Sequence, residues 1–127
     1  AVPLLSALLV EAAGRKDERS ALLWKPDTEA WAVGALGQIV EYVDTVRVRM
    51  EAGPALPSVC RLLVKGQGFA QDLAVFALGA MARGQESDVG LLLLQEEGAS
   101  TALHQVATRL PEGSLRERAI RLMRLVR

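Results

Sequence analysis

The residues most suited to chemistry in this chain are Cys60 and His104, the single cysteine and the single histidine. They hold the same place in two similar stretches, PSVCRLL and TALHQVA, so neighbouring helices could bring them together. A Cys–His pair is the basis of nucleophilic hydrolysis, but that chemistry also needs an orienting group and an oxyanion site. A third stretch, PLLSALL, has Ser6 at this place, and cysteine often packs as a small apolar side chain. We therefore predict no catalytic residue, and a Cys60/His104 hydrolase is the alternative.

Composition narrows the class of partner. Fifteen basic residues balance fifteen acidic ones, and only five residues are aromatic, which favours neither nucleic acid nor a membrane surface as a ligand. One cysteine can form neither an internal disulfide nor a zinc cluster, so we expect no metal or cofactor and a reducing, cytoplasmic compartment. Asp72 interrupts the apolar stretch that ends at Met81, too early for a transmembrane helix. The chain opens Ala1-Val2-Pro3, without an initiator methionine or a signal peptide, which indicates a processed or partial chain.

Apolar residues recur at helical spacing along nearly the whole chain, and no segment alternates with the period of two that is typical of strands. We therefore predict an all-α fold, which glycine, proline and cap residues divide into separate helices. The predicted helices are 3–13, one that follows a cap at 27 or 28 and ends at 42, 44–52, 54–65, 71–83, 88–97, 101–110 and 115–127. Their expected first residues or caps are Pro3, Asp27 or Thr28, Asp44, Pro54, Gln71, Ser87 or Asp88, Ser100 and Ser114.

Small and aromatic residues early in the chain predict particular contacts. Glycine costs a helix stability, so Gly34 and Gly37 indicate that another helix approaches closely at these positions. Trp24 and Trp31 lie near a charged segment, 15–20, and we expect them to pack it against the helices. The alternative is that a tryptophan is exposed as a binding hot spot.

Landmarks recur along the sequence at a nearly constant spacing. The stretches MEAG and QEEG end at Gly53 and Gly98, which are 45 residues apart. The stretches AVGALGQIV, AVFALGAMA and AIRLMRLV align Leu36, Leu78 and Leu122, at spacings of 42 and 44 residues. A fixed period of this length is typical of stacked helical repeats, so we predict a repeat architecture.

The landmarks divide the chain into a partial repeat, 1–43, a full repeat, 44–87, and a third repeat, 88–127. The first contains an insertion of about ten residues near 14–27. One short and two longer helices in 42 to 45 residues, with GPALPSVCRLL and ALGAMARG, resemble the armadillo repeat. The resemblance implies a right-handed α-solenoid of about two and two-thirds repeats. Because the chain starts inside a repeat, we expect either a longer solenoid or end faces covered by another chain.

The armadillo resemblance places the third helix of each repeat on a concave, protein-binding surface. Armadillo proteins that hold extended peptides use asparagine there, because its amide both donates to and accepts from a peptide backbone. This sequence contains no asparagine, so the mechanism of the nuclear-import adaptors is not expected. The positions that the resemblance places on the concave face are Gln38, Glu41, Phe76, Ala80, Arg83, Arg121, Arg124 and Arg127.

The arginines of this face predict a basic groove in the later repeats, to which an acidic partner segment could bind. The alternative is that arginines near helix C-termini complement the helix dipole and remain solvated. We therefore expect a non-enzymatic scaffold or adaptor in a larger assembly.

A looser similarity leads to a second candidate function. The stretch AVFALGAMARGQESDVGLLLLQEEGAS is similar to the armadillo core of a group of Hsp70 nucleotide-exchange factors. The similarity depends on the run 76–78, on Arg83, and on Gln85 and Glu86. It implies a co-chaperone that binds Hsp70.

Overall fold

A computed structural model describes residues 26–66, 68–84 and 87–126. These residues are almost entirely helical and contain no strand, which confirms the all-α class. The predicted helix 3–13 lies outside the described residues, as does the 14–25 part of the insertion. The helices are α1 Pro26–Val43, α2 Val46–Ala52, α3 Leu56–Lys65, α4 Phe69–Met81, α5 Ser87–Glu97, α6 Ala99–Arg109 and α7 Ser114–Val126, with a 3₁₀ turn Gly53–Ala55 between α2 and α3.

Helices α1 and α4 begin earlier than the sequence predicts. The first helical residue of α1 is Pro26, so the expected caps, Asp27 and Thr28, lie inside the helix. Proline suits this position because its fixed φ is helical and the first helical N–H has no partner within the helix. Helix α4 is displaced by two residues at each end from the predicted 71–83, since Gly68, at φ 58°, turns the chain directly before it.

Two further predicted caps, Asp44 and Ser100, are wrong. The cap of α2 is Thr45, whose hydroxyl accepts a hydrogen bond of 3.2 Å from the Val48 N–H, while Asp44 precedes it in a left-handed conformation at φ 50°. Helix α6 follows Gly98, which has φ 73°, so Ser100 is the second residue of the helix and not its cap. A left-handed glycine before a helix reorients the chain without a side-chain cap.

The aligned leucines all lie in the core. Leu36, Leu78 and Leu122 are 3%, 0% and 5% exposed, and burial of each side chain stabilises the fold by roughly 1.5–3 kcal/mol. Helices that are aligned in the sequence also contact each other in space. Helix α4 lies against α1 and α7, α3 lies against α6, and α2 lies against α5. One hydrophobic core therefore runs through all seven described helices.

The contact between α1 and α4 is very close at two glycines. A Cβ atom at Gly37 would lie 2.9 Å from the Cα of Ala77 and 3.0 Å from the ring of Phe76. One at Gly34 would lie 3.0 Å from Cδ2 of Leu73. Real Cβ contacts are almost never this short, so the prediction that a helix approaches closely at these glycines is confirmed.

Candidate functional site

The residues predicted for a binding face differ in exposure. Gln38, Glu41, Arg83, Arg121 and Arg124 are exposed, and Phe76 is half-buried against Gly37. Arg127 lies outside the described residues.

Ala80 is 1% exposed, so its assignment to the binding surface is wrong. It lies in the last turn of α4, and its carbonyl oxygen accepts a hydrogen bond of 3.4 Å from Nη2 of Arg49, a residue of α2. A methyl group in this position faces the core.

A pocket of about 310 Å³ lies between α4 and α7. Its floor is apolar, and three guanidinium groups line its edge. This combination suits a ligand that has both apolar and anionic groups. The lining residues are Val75, Gly79, Arg83, Arg118, Arg121, Leu122 and Leu125.

Two of the pocket arginines already have carboxylate partners on α1 and α4. Nη2 of Arg83 lies 3.2 Å from Oε1 of Glu41, and all four side chains of the two pairs are about half exposed. Nη2 of Arg118 contacts Oδ1 of Asp72, in the first turn of α4. Arg121 forms no ion pair with any other described residue. The pocket therefore contains both compensated and uncompensated positive charge.

Gly79 gives the guanidinium of Arg83 its place at the edge of the pocket. A Cβ atom on Gly79 would lie 3.7 Å from Cζ of Arg83 and within 4 Å of both Nη atoms. The planar group therefore lies against the backbone of α4. The three atoms nearest to that position all belong to Arg83, and none to α7.

A buried arginine that the sequence analysis missed fixes the end of α4. Arg49 of α2 is 0% exposed. Its Nε donates to the carbonyl oxygen of Met81 at 3.3 Å, and its Nη2 donates to those of Ala80 and Arg83. Its Nη1 lies 2.9 Å from Oδ1 of Asp44. Arg49 therefore donates to carbonyl groups in the last turn of α4 and directly after it, where Arg83 leaves the helix.

Sequence alignment contained a signal for this burial. Arg49 and Leu94 each lie four residues before the glycine of their repeat, Gly53 or Gly98, and both are 0% exposed. The position is therefore a core position of the short helix. The alternation of valine and arginine in VRVRM hides it, because a charged residue is normally assigned to the surface.

The structure does not favour Cys60 as a nucleophile. Burial, with a further contribution from the negative charge of Glu97, raises the pKa of the Cys60 thiol to about 11. A thiol used as a nucleophile has a lowered pKa instead, because the thiolate is the reactive form. His104 is exposed beside a different pocket, and among the described residues no hydrogen bond joins it to Cys60.

Trp31 is 65% exposed, and its ring centroid lies 5.8 Å from that of Phe69 at the start of α4. Trp24 lies outside the described residues. So do Gln85 and Glu86, on which the similarity to the Hsp70 exchange factors partly depends.

The described part of the chain contains no cluster of three histidine, cysteine, aspartate or glutamate side chains that could hold a metal ion. None of its helices combines the length and the apolar character needed to cross a membrane.

Comparison with known proteins finds no relative: no family model matches the chain, and no curated protein or solved structure matches it. The fold and the pocket between α4 and α7, which we call the groove, therefore define the class of this protein. It is an all-helical protein with an arginine-lined pocket between two packed helices. The function is argued below from that pocket.

Proposed function

We propose that this protein is a non-enzymatic interaction module, a scaffold or adaptor that binds an acidic segment of a partner protein between α4 and α7. The observation that carries the proposal is the pocket of about 310 Å³ with an apolar floor and an edge of arginines. A purely solvated set of arginines does not require such a floor. A partner segment can place an apolar side chain in the pocket while its carboxylates contact the guanidinium groups.

We infer further that the three repeats form an armadillo-type stack, in which α1, α4 and α7 are the third helices. Three observations support this: the burial of all three aligned leucines, the glycines at positions 37 and 79, and the contacts between helices aligned in the sequence. In such a stack each repeat presents a similar face, so the groove would continue along the same surface towards Gln38.

Apolar and charged groups have different roles in this binding. Leu125 is 55% exposed at the pocket, and covering it would contribute about 25 cal/mol per Å² of apolar surface removed from water. Exposed charges contribute more to the association rate and to specificity than to affinity. We therefore expect affinity to depend on the apolar side chain of the partner and partner choice to depend on its carboxylates.

The test uses a fluorescent peptide of about a dozen residues, with glutamates around one leucine, and a counterpart with glutamine at each glutamate. Anisotropy should show binding of the acidic peptide only. The variant Arg121→Glu should weaken it several-fold at low ionic strength, since an attractive contact at the pocket becomes repulsive. The matched control is Arg47→Glu, which changes an exposed arginine on α2.

Two results would contradict the proposal. One is equal binding of the acidic and glutamine peptides. The other is an unchanged affinity in Arg121→Glu while its thermal melting curve stays that of the native protein. Either result would mean that Arg121 is only solvated.

A further inference from the structure

We propose that Glu41 and Asp72 are specificity-determining residues of this groove, because they occupy two of its arginines until a ligand displaces them. The inference rests on the proposed function, since it concerns the regulation of the same site. It predicts where along the groove an acidic ligand must place its carboxylate.

The two ion pairs lie at opposite ends of the pocket. Asp72 belongs to the first turn of α4 and contacts Arg118, while Arg83 follows the last turn of α4 and lies 3.2 Å from Glu41. Arg121 follows Arg118 by one turn of α7 and lines the pocket between these ends. Positive charge without a carboxylate partner is therefore concentrated at the middle of the groove.

In neither ion pair does the helix that carries the carboxylate also supply the arginine. Glu41 is on α1 and Asp72 is on α4, whereas their partners follow α4 and lie on α7. The Arg118–Asp72 pair thus joins α7 and α4 across the surface where the ligand would lie, while the Arg83–Glu41 pair joins the end of α4 to α1. A ligand carboxylate at Arg83 or Arg118 has to replace an existing carboxylate, while one at Arg121 adds a new contact.

This arrangement defines the preferred ligand. It is a segment of a protein that presents one carboxylate to Arg121 and, next to it, an apolar side chain to Leu122 and Leu125. Additional carboxylates in the segment should add little, because the arginines at the two ends are already paired. The groove therefore selects the position of an acidic residue more than the total charge of the partner.

The experiment measures the affinity of the acidic leucine-containing peptide for the double variant Glu41→Gln/Asp72→Asn. Both residues are about half exposed, so the fold should tolerate the changes. Freeing each arginine should strengthen binding roughly two- to fivefold, the range expected for an exposed ion pair. The matched control, Glu51→Gln/Glu96→Gln, removes the same number of negative charges from α2 and α5 and should leave the affinity unchanged.

The outcomes separate this inference from the proposed function. The inference is supported if Glu41→Gln/Asp72→Asn binds the peptide more tightly than the native protein and the control variant does not. The same holds where the native protein binds too weakly to measure. Equal affinity of that variant and the native protein, or an equal gain in the control, overturns it and leaves the proposed function standing. Failure of the peptide to bind any of the proteins overturns both.

Discussion

Helix α4 contacts two helices that are aligned with it in the sequence, and the two contacts differ in character. Towards α1 the backbones nearly touch, because a Cβ atom on Gly37 would lie 2.9 Å from the Cα of Ala77. Towards α7 a pocket of about 310 Å³ remains. The glycine of α4 that aligns with Gly37 is Gly79. The three atoms nearest to a Cβ on Gly79 would belong to the guanidinium of Arg83, at 3.7–3.8 Å.

The comparison shows that two glycines aligned in the sequence can serve different purposes. At Gly37 the missing side chain permits dense packing between helices, which stabilises the fold. At Gly79 it leaves room for a charged group at the edge of an open groove. The first contact therefore contributes mainly to stability and the second mainly to recognition, and substitutions can test this separation.

The largest effect is expected for Arg49→Leu. This change removes the guanidinium group that binds the C-terminal end of α4, the helix that contacts both α1 and α7. The carbonyl oxygen of Met81 would lose its Arg49 donor in a buried place, and those of Ala80 and Arg83 would each lose one donor. We expect the free energy of unfolding to fall by about 2–4 kcal/mol, measured by urea denaturation. Arg47→Leu on the exposed side of α2 is the control and should change it by less than about 0.5 kcal/mol.

The position of Leu94 gives Arg49→Leu a clear opposite outcome. If leucine at position 49 packed as Leu94 does in α5, the variant would be as stable as the native protein. That result would show that the C-terminus of α4 does not depend on its buried hydrogen bonds.

A smaller loss is expected for Gly37→Ala, which tests the dense contact directly. The added methyl group would lie 2.9 Å from a backbone atom of α4, so one helix must move. Overpacking of this kind costs about 1–3 kcal/mol, which exceeds the helix propensity that alanine gains over glycine. Thermal and urea unfolding would measure the loss, and a variant more stable than the native protein would show that the helices can separate at little cost.

Much of the fold could be predicted because it depends on local patterns. The aligned leucines and the close approach at Gly34 and Gly37 follow from helical spacing and from the cost of glycine in a helix. Helix starts were less predictable. Both Asp44 and Thr45 are suitable cap residues for α2, and α6 begins after Gly98 without a side-chain cap.

The candidate site could be predicted only in part. The armadillo resemblance placed Arg83, Arg121 and Arg124 on a binding face, and all three are exposed, but Ala80 of the same set is buried. Burial of Arg49 and the pairing of Arg118 with Asp72 depend on which helices meet in space, across 32 to 46 residues of sequence. Neither the period of a helix nor the type of residue contains that information.

The smallest effect, and one of opposite sign, is expected for Gly79→Ala. The atoms nearest to its methyl group would belong to the flexible end of Arg83, at an ordinary contact distance of 3.7 Å. Alanine should therefore stabilise α4 by roughly 0.5–1 kcal/mol through its higher helix propensity. Urea unfolding of Gly37→Ala and Gly79→Ala under identical conditions should give changes of opposite sign. Destabilisation by both would mean that α7 closes on α4 in solution as tightly as α1 does, which would leave no room for a ligand between them.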